Sequence, residues 1–379
     1  MMRNSSVALF ATTTGHAMRH FVVGLPEAVQ AGGLHPVLVC PEDPWVREYA
    51  RLIGADFFPI EFQRQFDAKA DFLSLVRLVF ILVRTRPRAV VYGSPKASLL
   101  TGLAGLVTGR ARRIYVLHGL RYEGEVGLKR RALIAIETLT CLLATRTIAV
   151  STSVAARMNS KLGALGSVSV LGWGSANGID TDIYRQPTNE EKAVTRRDLG
   201  IDPSIKLVSF VGRFAKDKGV ALLPSIAEHL ADLDPKIKLL VAGNDDGEHE
   251  TRESLRRLKK LSNVRLMGEL TDPYRVYWAS DVLISPTVRE GLGMTLVEAA
   301  ACGTPVVASK VTGCVDVVTE AYVGTLVEGH DQSVWVDAID HWLNNDTELH
   351  RDLRAHLMRL RFARDLVVSN WSTEILSKS

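Results

Sequence analysis

Two carboxylates stand on either side of a Gly-x-Gly turn in the second half of the chain. Glu290 directly precedes Gly291-Leu292-Gly293, and Glu298 follows within a helix predicted to start at Met294. Backbone N–H groups in the first turn of a helix lack intrahelical acceptors and attract a phosphate. The pattern indicates a site for an elongated ligand with an anionic middle and hydroxyl-rich ends, as in a nucleotide diphosphate sugar.

The spacing of Glu290 and Glu298 is by itself weak evidence for a ligand site. The chain has 42 acidic residues, so such pairs arise by chance, and a solvated loop glutamate or a salt-bridged helix glutamate is the alternative. The flanking sequence favours the ligand site. Asp281–Pro286 is predicted to be a buried strand that ends at proline, and Pro305–Ala308 a second strand. Together they form a βαβ unit, whose loop lies at the ligand-binding edge of a parallel sheet.

A second candidate phosphate site follows the strand predicted at Lys206–Val211. Gly212 lets a ligand approach the backbone, and Arg213 offers a planar fork to phosphate oxygens. Lys218 adds a mobile point charge at the start of a predicted helix. A loop with solvated basic residues is the alternative interpretation.

Three further positions lie at the ends of predicted strands or in the loops after them. Gly243, after Lys238–Ala242, leaves room for a nucleotide or makes a simple turn. Met267 ends a strand that could bracket a base or be a plain buried strand. Gly15, in the loop after the first strand, lets substrate approach the backbone or serves as a turn glycine.

Composition limits the class of protein. The 379 residues are 46% hydrophobic and 23% charged, which predicts a globular protein of two domains. The net charge of +4 fits anionic ligands or an anionic membrane surface and does not require nucleic acid. Four dispersed cysteines lack metal-ligand spacing, and no apolar run reaches transmembrane length. We therefore expect a cytoplasmic protein.

Short apolar runs alternate with helical patterns along the whole chain. This alternation predicts an α/β fold with two doubly wound, parallel-sheet domains and a cleft between them. We expect an N-terminal domain over residues 1–180, a C-terminal domain over 181–360, and a terminal helix over 361–379 that packs back on the first domain. The predicted strands are Val7–Ala11, Pro36–Cys40, Ala89–Tyr92, Arg113–His118, Thr147–Val150, Ser167–Leu171, Lys206–Val211, Lys238–Ala242, Val264–Met267, Val282–Ser285, Pro305–Ala308 and Gly324–Leu326.

Together the Gly-Arg…Lys-Gly loop, the two glutamates with their glycine turn, and Ala301–Val307 resemble the GT-B glycosyltransferases of family 4. The resemblance covers most of the second half of the chain. It implies two Rossmann-like domains facing a central cleft. It also implies retaining transfer of a sugar from a nucleotide-sugar donor, without a cofactor and without a metal bound by the protein.

The resemblance implies a role for each matching residue. Arg213 and Lys218 hold the donor diphosphate, Glu298 accepts hydrogen bonds from the ribose, and Glu290 orients the transferred sugar. His118 contacts the donor sugar; without the resemblance, a core histidine bonded to a carbonyl is favoured. The candidate donor-binding residues are Gly15, Gly212, Gly243, Met267, Gly291, Leu292, Gly293, Met294, Thr295, Leu296 and Glu298.

A narrower resemblance, found mainly in the first half of the chain, is to the capsule, O-chain and exopolysaccharide branch of this family. The matching segments are Gly93–Ala97, Tyr115–Tyr122, Asn177–Asp180 and Thr312–Asp316, although many members have Gly at 312 and Glu at 316. The branch implies a UDP- or GDP-sugar as donor and a glycan acceptor, often linked to a lipid diphosphate. Lys96 and Arg121 could meet an anionic acceptor or be solvated. Asp180-Thr181-Asp182 lacks the surroundings of a metal-binding Asp-x-Asp motif.

The segment Leu73–Arg88 combines apolar residues with arginines, and Lys129-Arg130-Arg131 opens another apolar helix. Such helices can lie on an anionic membrane. Core-packing helices with basic ends are equally compatible with the pattern. Two other functions also remain open: another GT-B activity such as epimerisation, and nucleotide-sugar binding without turnover.

Overall fold

A computed structural model describes residues 6–62, 67–93, 95–109, 111–245, 247 and 249–377. Ser94, which precedes Pro95 and is predicted from the sequence to cap the following helix, lies outside the described residues. The chain divides into two compact units. The first comprises Met1–Gly178 and Arg364–Ser379, and the second comprises Ile179–Ala363. These boundaries lie within three residues of the predicted ones at 180 and 360.

The described residues of the first unit form a parallel sheet in the order β3-β2-β1-β4-β5-β6-β7. Its inner strands are almost continuously apolar and buried, because helices cover both faces of a parallel sheet. The strands are β1 Val7–Ala11, β2 His35–Cys40, β3 Asp56–Pro59, β4 Ala89–Tyr92, β5 Arg112–Leu117, β6 Arg146–Ala149 and β7 Val168–Val170. The helices are α1 Gly15–Phe21, α2 Leu25–Ala31, α3 Pro44–Ile53, α4 Ala68–Thr85, α5 Pro95–Thr108, α6 Gly127–Leu143 and α7 Thr152–Leu162, with a 3₁₀ turn at Gly163–Leu165.

Two sequence predictions for this unit were incomplete. The pattern predicted one helix over His20–Ala31, but α1 and α2 separate at Gly24, whose φ of 91° is incompatible with a continuous helix. The pattern also missed β3, an edge strand with partly exposed residues, and α3. A local signal for α3 existed: the Asp43 side chain accepts hydrogen bonds from two backbone N–H groups at its start, and proline follows.

The described residues of the second unit form another parallel sheet, in the order β10-β9-β8-β11-β12-β13. The strands are β8 Lys206–Val211, β9 Ile237–Ala242, β10 Val264–Gly268, β11 Val282–Ser285, β12 Val306–Ser309 and β13 Gly324–Val327. The helices are α8 Asn189–Asp198, α9 Leu223–Leu233, α10 His249–Leu258, α11 Tyr274–Ala279, α12 Met294–Ala301, α13 Cys314–Val317, α14 Gln332–Asn345 and α15 Glu348–Phe362, with 3₁₀ turns at Lys216–Lys218 and Val220–Leu222. Lys218 therefore ends a short 3₁₀ turn and does not start α9, as the pattern had predicted.

The last helix, α16 (Arg364–Leu376), returns to the first unit and packs against α2. The buried Trp371 donates its indole N–H to the Ser175 carbonyl at 3.0 Å. The Glu374 carboxylate pairs with the Arg112 guanidinium. Apolar packing and ion pairing thus attach the end of the chain to the sheet of the first unit.

Candidate functional site

Sheet order places the candidate residues of the second unit at one edge. The chain leaves β8 to add strands on one side and later returns to add β11 on the other, so the strand order reverses between these neighbours. Ligands of open parallel sheets bind beyond the carboxyl ends of the strands at such a switch point. The loops after β8 and β11 contain Arg213, Lys218 and Glu290.

An ion pair at this edge joins the two loops. The Lys218 Nζ donates to Glu290 Oε1 at 2.5 Å, and both side chains are mostly buried. Gly219 makes the approach possible: its φ is 70°, and a Cβ there would lie 1.8 Å from the Pro286 carbonyl oxygen. The structure therefore brings together two residues that the sequence had singled out separately.

Asp217 completes the charge arrangement, and sequence reasoning missed it. Its carboxylate accepts a hydrogen bond from Arg289 Nη2 at 2.8 Å and lies 3.8 Å from the half-exposed Arg213. Its carbonyl oxygen accepts from the Val288 N–H and the Thr287 hydroxyl. Asp217 thus orients the β11 loop and lies beside one cation of the candidate phosphate site. Its position between two basic residues of the loop was the available sequence signal.

The start of α12 lies beside Glu290 in the chain. Gly293 precedes the helix in a left-handed conformation, and its carbonyl accepts the Leu296 and Val297 N–H groups. The Leu296 N–H therefore already has a protein acceptor. Leu292 and Leu296 are buried in the apolar interior, whereas Met294 and Thr295 are partly exposed. Any ligand contact at this turn therefore involves the first backbone groups and not the leucine side chains.

Gly291 is held from the other side by the turn at Gly313. A Cβ on Gly313 would lie 2.8 Å from the Gly291 carbonyl carbon, so this contact requires a glycine. Cys314 follows at the start of α13, and burial raises the pKa of its thiol. The Gly-x-Gly turn is therefore held in a defined position by neighbouring backbone.

Glu298 lies on α12 with a different partner. The buried Tyr277 hydroxyl donates to its Oε2 at 2.8 Å. Burial raises the pKa of this carboxyl to about 7, against the opposing effect of the tyrosine hydrogen bond. Glu298 therefore changes protonation near neutral pH. The two glutamates do not share a proton-transfer partner in this arrangement: Glu290 contacts lysine and Glu298 contacts tyrosine.

The glycines after β8 and β9 adjoin because Val211 pairs with Ala242. A Cβ on Gly243 would lie 1.7 Å from the Gly212 carbonyl oxygen, so backbone packing alone requires glycine there. Met267 lies where the pairing of β10 with β9 shifts register, and its side chain packs against a small apolar cluster. These positions share the sheet edge with the Lys218–Glu290 contact.

His118 follows β5 in the first unit. Its ring lies against Phe21, with centroids 4.4 Å apart, and a Cβ on Gly93 would lie 2.4 Å from its Nε2. It lines a small cavity that also touches Thr12 and Trp371. Burial lowers the pKa of His118 to about 4, so the imidazole is neutral at physiological pH.

Two other candidates in the first unit have structural partners. A Cβ on Gly15, the first residue of α1, would lie 2.1 Å from Asp43 Oδ2, so close packing requires glycine. Lys96 Nζ lies 2.7 Å from Asp71 Oδ1, and both side chains are mostly buried. Arg121 is exposed. Lys96 therefore has a protein carboxylate to compete with any anionic ligand.

The described residues contain no group of three or more His, Cys, Asp and Glu side chains placed to hold a metal ion. None of the helices in the described part of the chain has both the length and the apolar content to cross a membrane.

Comparison with known proteins assigns the family. The profile of Glycosyltransferase Family 4 matches residues 19–182, and that of Glycosyl transferases group 1 matches residues 191–356. The capsular polysaccharide biosynthesis glycosyltransferase CapM of Staphylococcus aureus is 31% identical over 290 residues, which are 76% of each chain. This chain belongs to the GT-B glycosyltransferases of family 4. The D-inositol 3-phosphate glycosyltransferase of Corynebacterium glutamicum is 32% identical over 45% of this chain and 42% of its own.

Solved structures confirm the predicted fold. Anabaena HepE, crystallised with UDP and glucose, superposes with a TM-score of 0.80 at 17% identity, over 98% of this chain and all of the other. WaaG, a glycosyltransferase of lipopolysaccharide biosynthesis, superposes with a TM-score of 0.73 at 17% identity, over 98% of this chain. Both neighbours have the two-domain GT-B fold expected from the sequence.

Proposed function

We propose that this glycosyltransferase transfers a sugar, with retention of configuration, from a UDP- or GDP-sugar to a glycan acceptor in surface-polysaccharide synthesis. The acceptor is linked to a lipid diphosphate, and the reaction uses no metal bound by the protein. The enzyme works in the cytoplasm at the inner face of the cell membrane. The observation that carries the proposal is the Lys218–Glu290 contact at the β8/β11 switch point.

This contact suits a donor with a charged diphosphate and a neutral sugar. Lys218 and Arg213 supply positive charge where negative charge grows on the departing diphosphate, which is the form of stabilisation that most accelerates such reactions. Glu290, next to Lys218, accepts hydrogen bonds from sugar hydroxyls and orients the donor. Glu290 also holds the lysine at the site before the donor arrives, so little reorganisation is needed.

The relatives support the donor and the pathway. CapM is a capsular polysaccharide biosynthesis enzyme by name, and WaaG is involved in lipopolysaccharide biosynthesis. HepE was crystallised with UDP, with UDP-glucose, and with UDP and glucose. These properties belong to those proteins. We extend two of these properties to this chain: the use of a nucleotide sugar as donor, and a role in polysaccharide assembly.

A donor screen is the first test. A ligand that binds only the folded protein raises its melting temperature, so a panel of nucleotide sugars measured by thermal shift identifies the donor. Transfer of the sugar from this donor to a lipid-linked acceptor is assayed next, and NMR of the product reports the anomeric configuration. We expect retention and undiminished turnover in EDTA; an inverted product or EDTA-sensitive turnover would contradict the corresponding part of the proposal.

The Lys218→Ala variant tests the assigned chemistry. We expect kcat to fall by about 10²–10³-fold, since a preorganised charge at the leaving group is lost, while the melting temperature stays close to that of the wild type. Lys216→Ala, which removes an exposed lysine from the same 3₁₀ turn, is the matched control and should retain activity. Near-normal turnover of Lys218→Ala would refute its role.

The same assays separate the rival functions. Wild-type protein that binds a donor but transfers to no acceptor would favour a nucleotide-sugar-binding protein without turnover. Conversion of the donor to another nucleotide sugar without acceptor would favour an epimerase.

A further inference from the structure

Three neighbouring helices of the first unit expose large apolar side chains. Helix α4 packs against α5, and α5 packs against α6. On α4, Phe72 and Phe80 are 67% and 63% exposed. In addition, Val126 and Leu128, at the start of α6, are 83% and 81% exposed. We call these helices the α4–α6 face; its other exposed apolar residues are Leu73, Val76, Val83, Leu106, Val107, Ile136, Leu139 and Leu142.

The exposed residues of α4 form one continuous stripe. Phe72, Val76, Phe80 and Val83 recur at the spacing that places side chains on one side of a helix. The opposite side of α4 contributes Leu78 and other residues to the core of the unit. An apolar stripe is therefore left uncovered after the helix has already buried a core side.

The charged side chains that are exposed on the three helices are all basic, while just before α4 and α6 Asp67 caps α4 and Glu125 forms an ion pair with Lys129. Arg77 and Arg84 are exposed on α4, and three consecutive cations, Lys129-Arg130-Arg131, are exposed on α6. The helices α4, α5 and α6 contain two carboxylates, and both are directed into the protein: Asp71 pairs with Lys96, and Glu137 accepts a hydrogen bond from buried Tyr115. The face therefore presents apolar and cationic groups without an exposed carboxylate on its helices.

We propose that the α4–α6 face binds the surface of a bilayer that contains anionic lipid. Apolar side chains that insert into the headgroup region, with arginine and lysine beside them, are the features of an interfacial helix. Each cation near an anionic surface adds attraction, while its aliphatic stem covers apolar surface. A protein partner would require complementary carboxylates and a shaped groove, whereas a fluid bilayer accepts aromatic side chains spread over three helices.

The inference deepens the proposed function, since a lipid-linked acceptor lies at a bilayer, but its test requires no transfer. Flotation is measured with vesicles of phosphatidylcholine alone and of phosphatidylcholine mixed with phosphatidylglycerol. We expect the wild type to float with the mixed vesicles, more weakly with the neutral ones, and less as salt rises. Absence of flotation with the mixed vesicles at physiological salt would overturn the proposal.

Two double variants locate the surface. Phe72→Ser with Phe80→Ser removes apolar contact, and Arg77→Gln with Arg84→Gln removes charge; each should lower the partition coefficient at least about tenfold. Matched controls change exposed residues elsewhere: Leu52→Ser with Leu349→Ser, and Arg252→Gln with Arg256→Gln. Flotation of either α4 variant at the wild-type level would overturn the assignment of this face.

Two further readouts separate the outcomes. The thermal shift caused by the nucleotide-sugar donor should be unchanged in all four double variants, because none alters the sheet edge in the second unit. Loss of flotation in an α4 double variant that keeps the donor-induced thermal shift supports the assignment of the α4–α6 face as the bilayer-binding surface. A wild type that does not float but forms a dimer, which Phe72→Ser with Phe80→Ser dissociates, would show that a second copy covers the face.

Discussion

Glu298 has a protonation state that depends on its surroundings. Burial beside Tyr277 raises its pKa to about 7, well above the ordinary range of a glutamate. If Glu298 accepts hydrogen bonds from the ribose hydroxyls of the donor, as the family resemblance implies, the ionised carboxylate binds better than the neutral acid, because charge-assisted hydrogen bonds are stronger. Donor binding then lowers the pKa of Glu298 and releases protons near neutral pH.

Donor affinity should therefore fall as pH drops from 8 to 6. The fall should be several-fold, since the fraction of ionised carboxylate declines about tenfold below a pKa of about 7 for each unit of pH. Isothermal titration calorimetry in buffers of different ionisation heat measures both affinity and proton release. Glu298→Gln should bind more weakly, without proton release; an unchanged pH dependence in this variant would assign the titration to another group.

The same residue affects stability with a definite sign. The pKa of Glu298 in the folded protein lies above the ordinary value of 4.5 that applies to the unfolded chain. The contribution of Glu298 to the free energy of unfolding is therefore most favourable below pH 4.5. The contribution is lost as pH rises through about 7. A donor that binds the ionised carboxylate, as the family resemblance implies, would oppose this loss.

Loop conformation at the sheet edge depends on glycines. Gly219 has a φ of 70° and meets the Pro286 carbonyl, whereas Gly200 has a φ of 63° and a nearest neighbour at 3.6 Å. Both positions adopt a left-handed backbone conformation that favours glycine. Only Gly219 also lacks room for a Cβ. The approach of the Lys218 loop to the Glu290 loop therefore rests on a glycine that no side chain can replace without displacement.

The pair of variants Gly219→Ala and Gly200→Ala separates these effects. Gly200→Ala should cost about 1–2 kcal/mol in the free energy of unfolding, from left-handed backbone strain alone. Gly219→Ala should cost more than about 3 kcal/mol, since steric overlap adds to the strain, and should also reduce transfer because Lys218 moves. Denaturant unfolding measures both costs; equal costs would show that the Pro286 contact relaxes freely.

Among the helices and strands, the apolar sequence pattern predicted most of the buried strands. It was wrong where an element departs locally from that pattern. Continuous apolar runs such as those of β1, β8 and β11 identify strands covered on both faces. The break between α1 and α2 was missed because their apolar pattern continues across Gly24. The edge strand β3 was missed because its Phe57 and Phe58 are only half-buried between exposed ends.

The whole chain is organised so that its last helix belongs to the first unit. Trp371 of α16 is buried against residues of that unit and donates to the Ser175 carbonyl. Arg112 and Arg88 donate to carbonyl oxygens of the same helix. The first unit therefore needs chain segments from both ends of the sequence.

Trp371→Ala should destabilise the first unit by about 3–5 kcal/mol, the usual cost of removing a buried tryptophan. Hydrogen exchange should quicken in β1 and β4 and remain unchanged in β8 and β11. Trp173→Ala, at an exposed tryptophan of the same unit, is the control and should cost less than about 1 kcal/mol. Equal acceleration in both sheets would show that the two units unfold together.

Sequence patterns alone were sufficient to predict the alternating α/β fold, the Gly-x-Gly turn between two glutamates, and the basic loop after β8. These features are local, because periodicity, helix starts and glycine turns depend on neighbouring residues. The partners of the charged residues became known from the three-dimensional fold: Lys218 with Glu290, 72 positions apart, Asp217 with Arg289, and Lys96 with Asp71. Parallel sheets bring the carboxyl ends of non-consecutive strands together through crossovers, so the charges that meet at the edge come from distant loops whose pairing no local pattern contains.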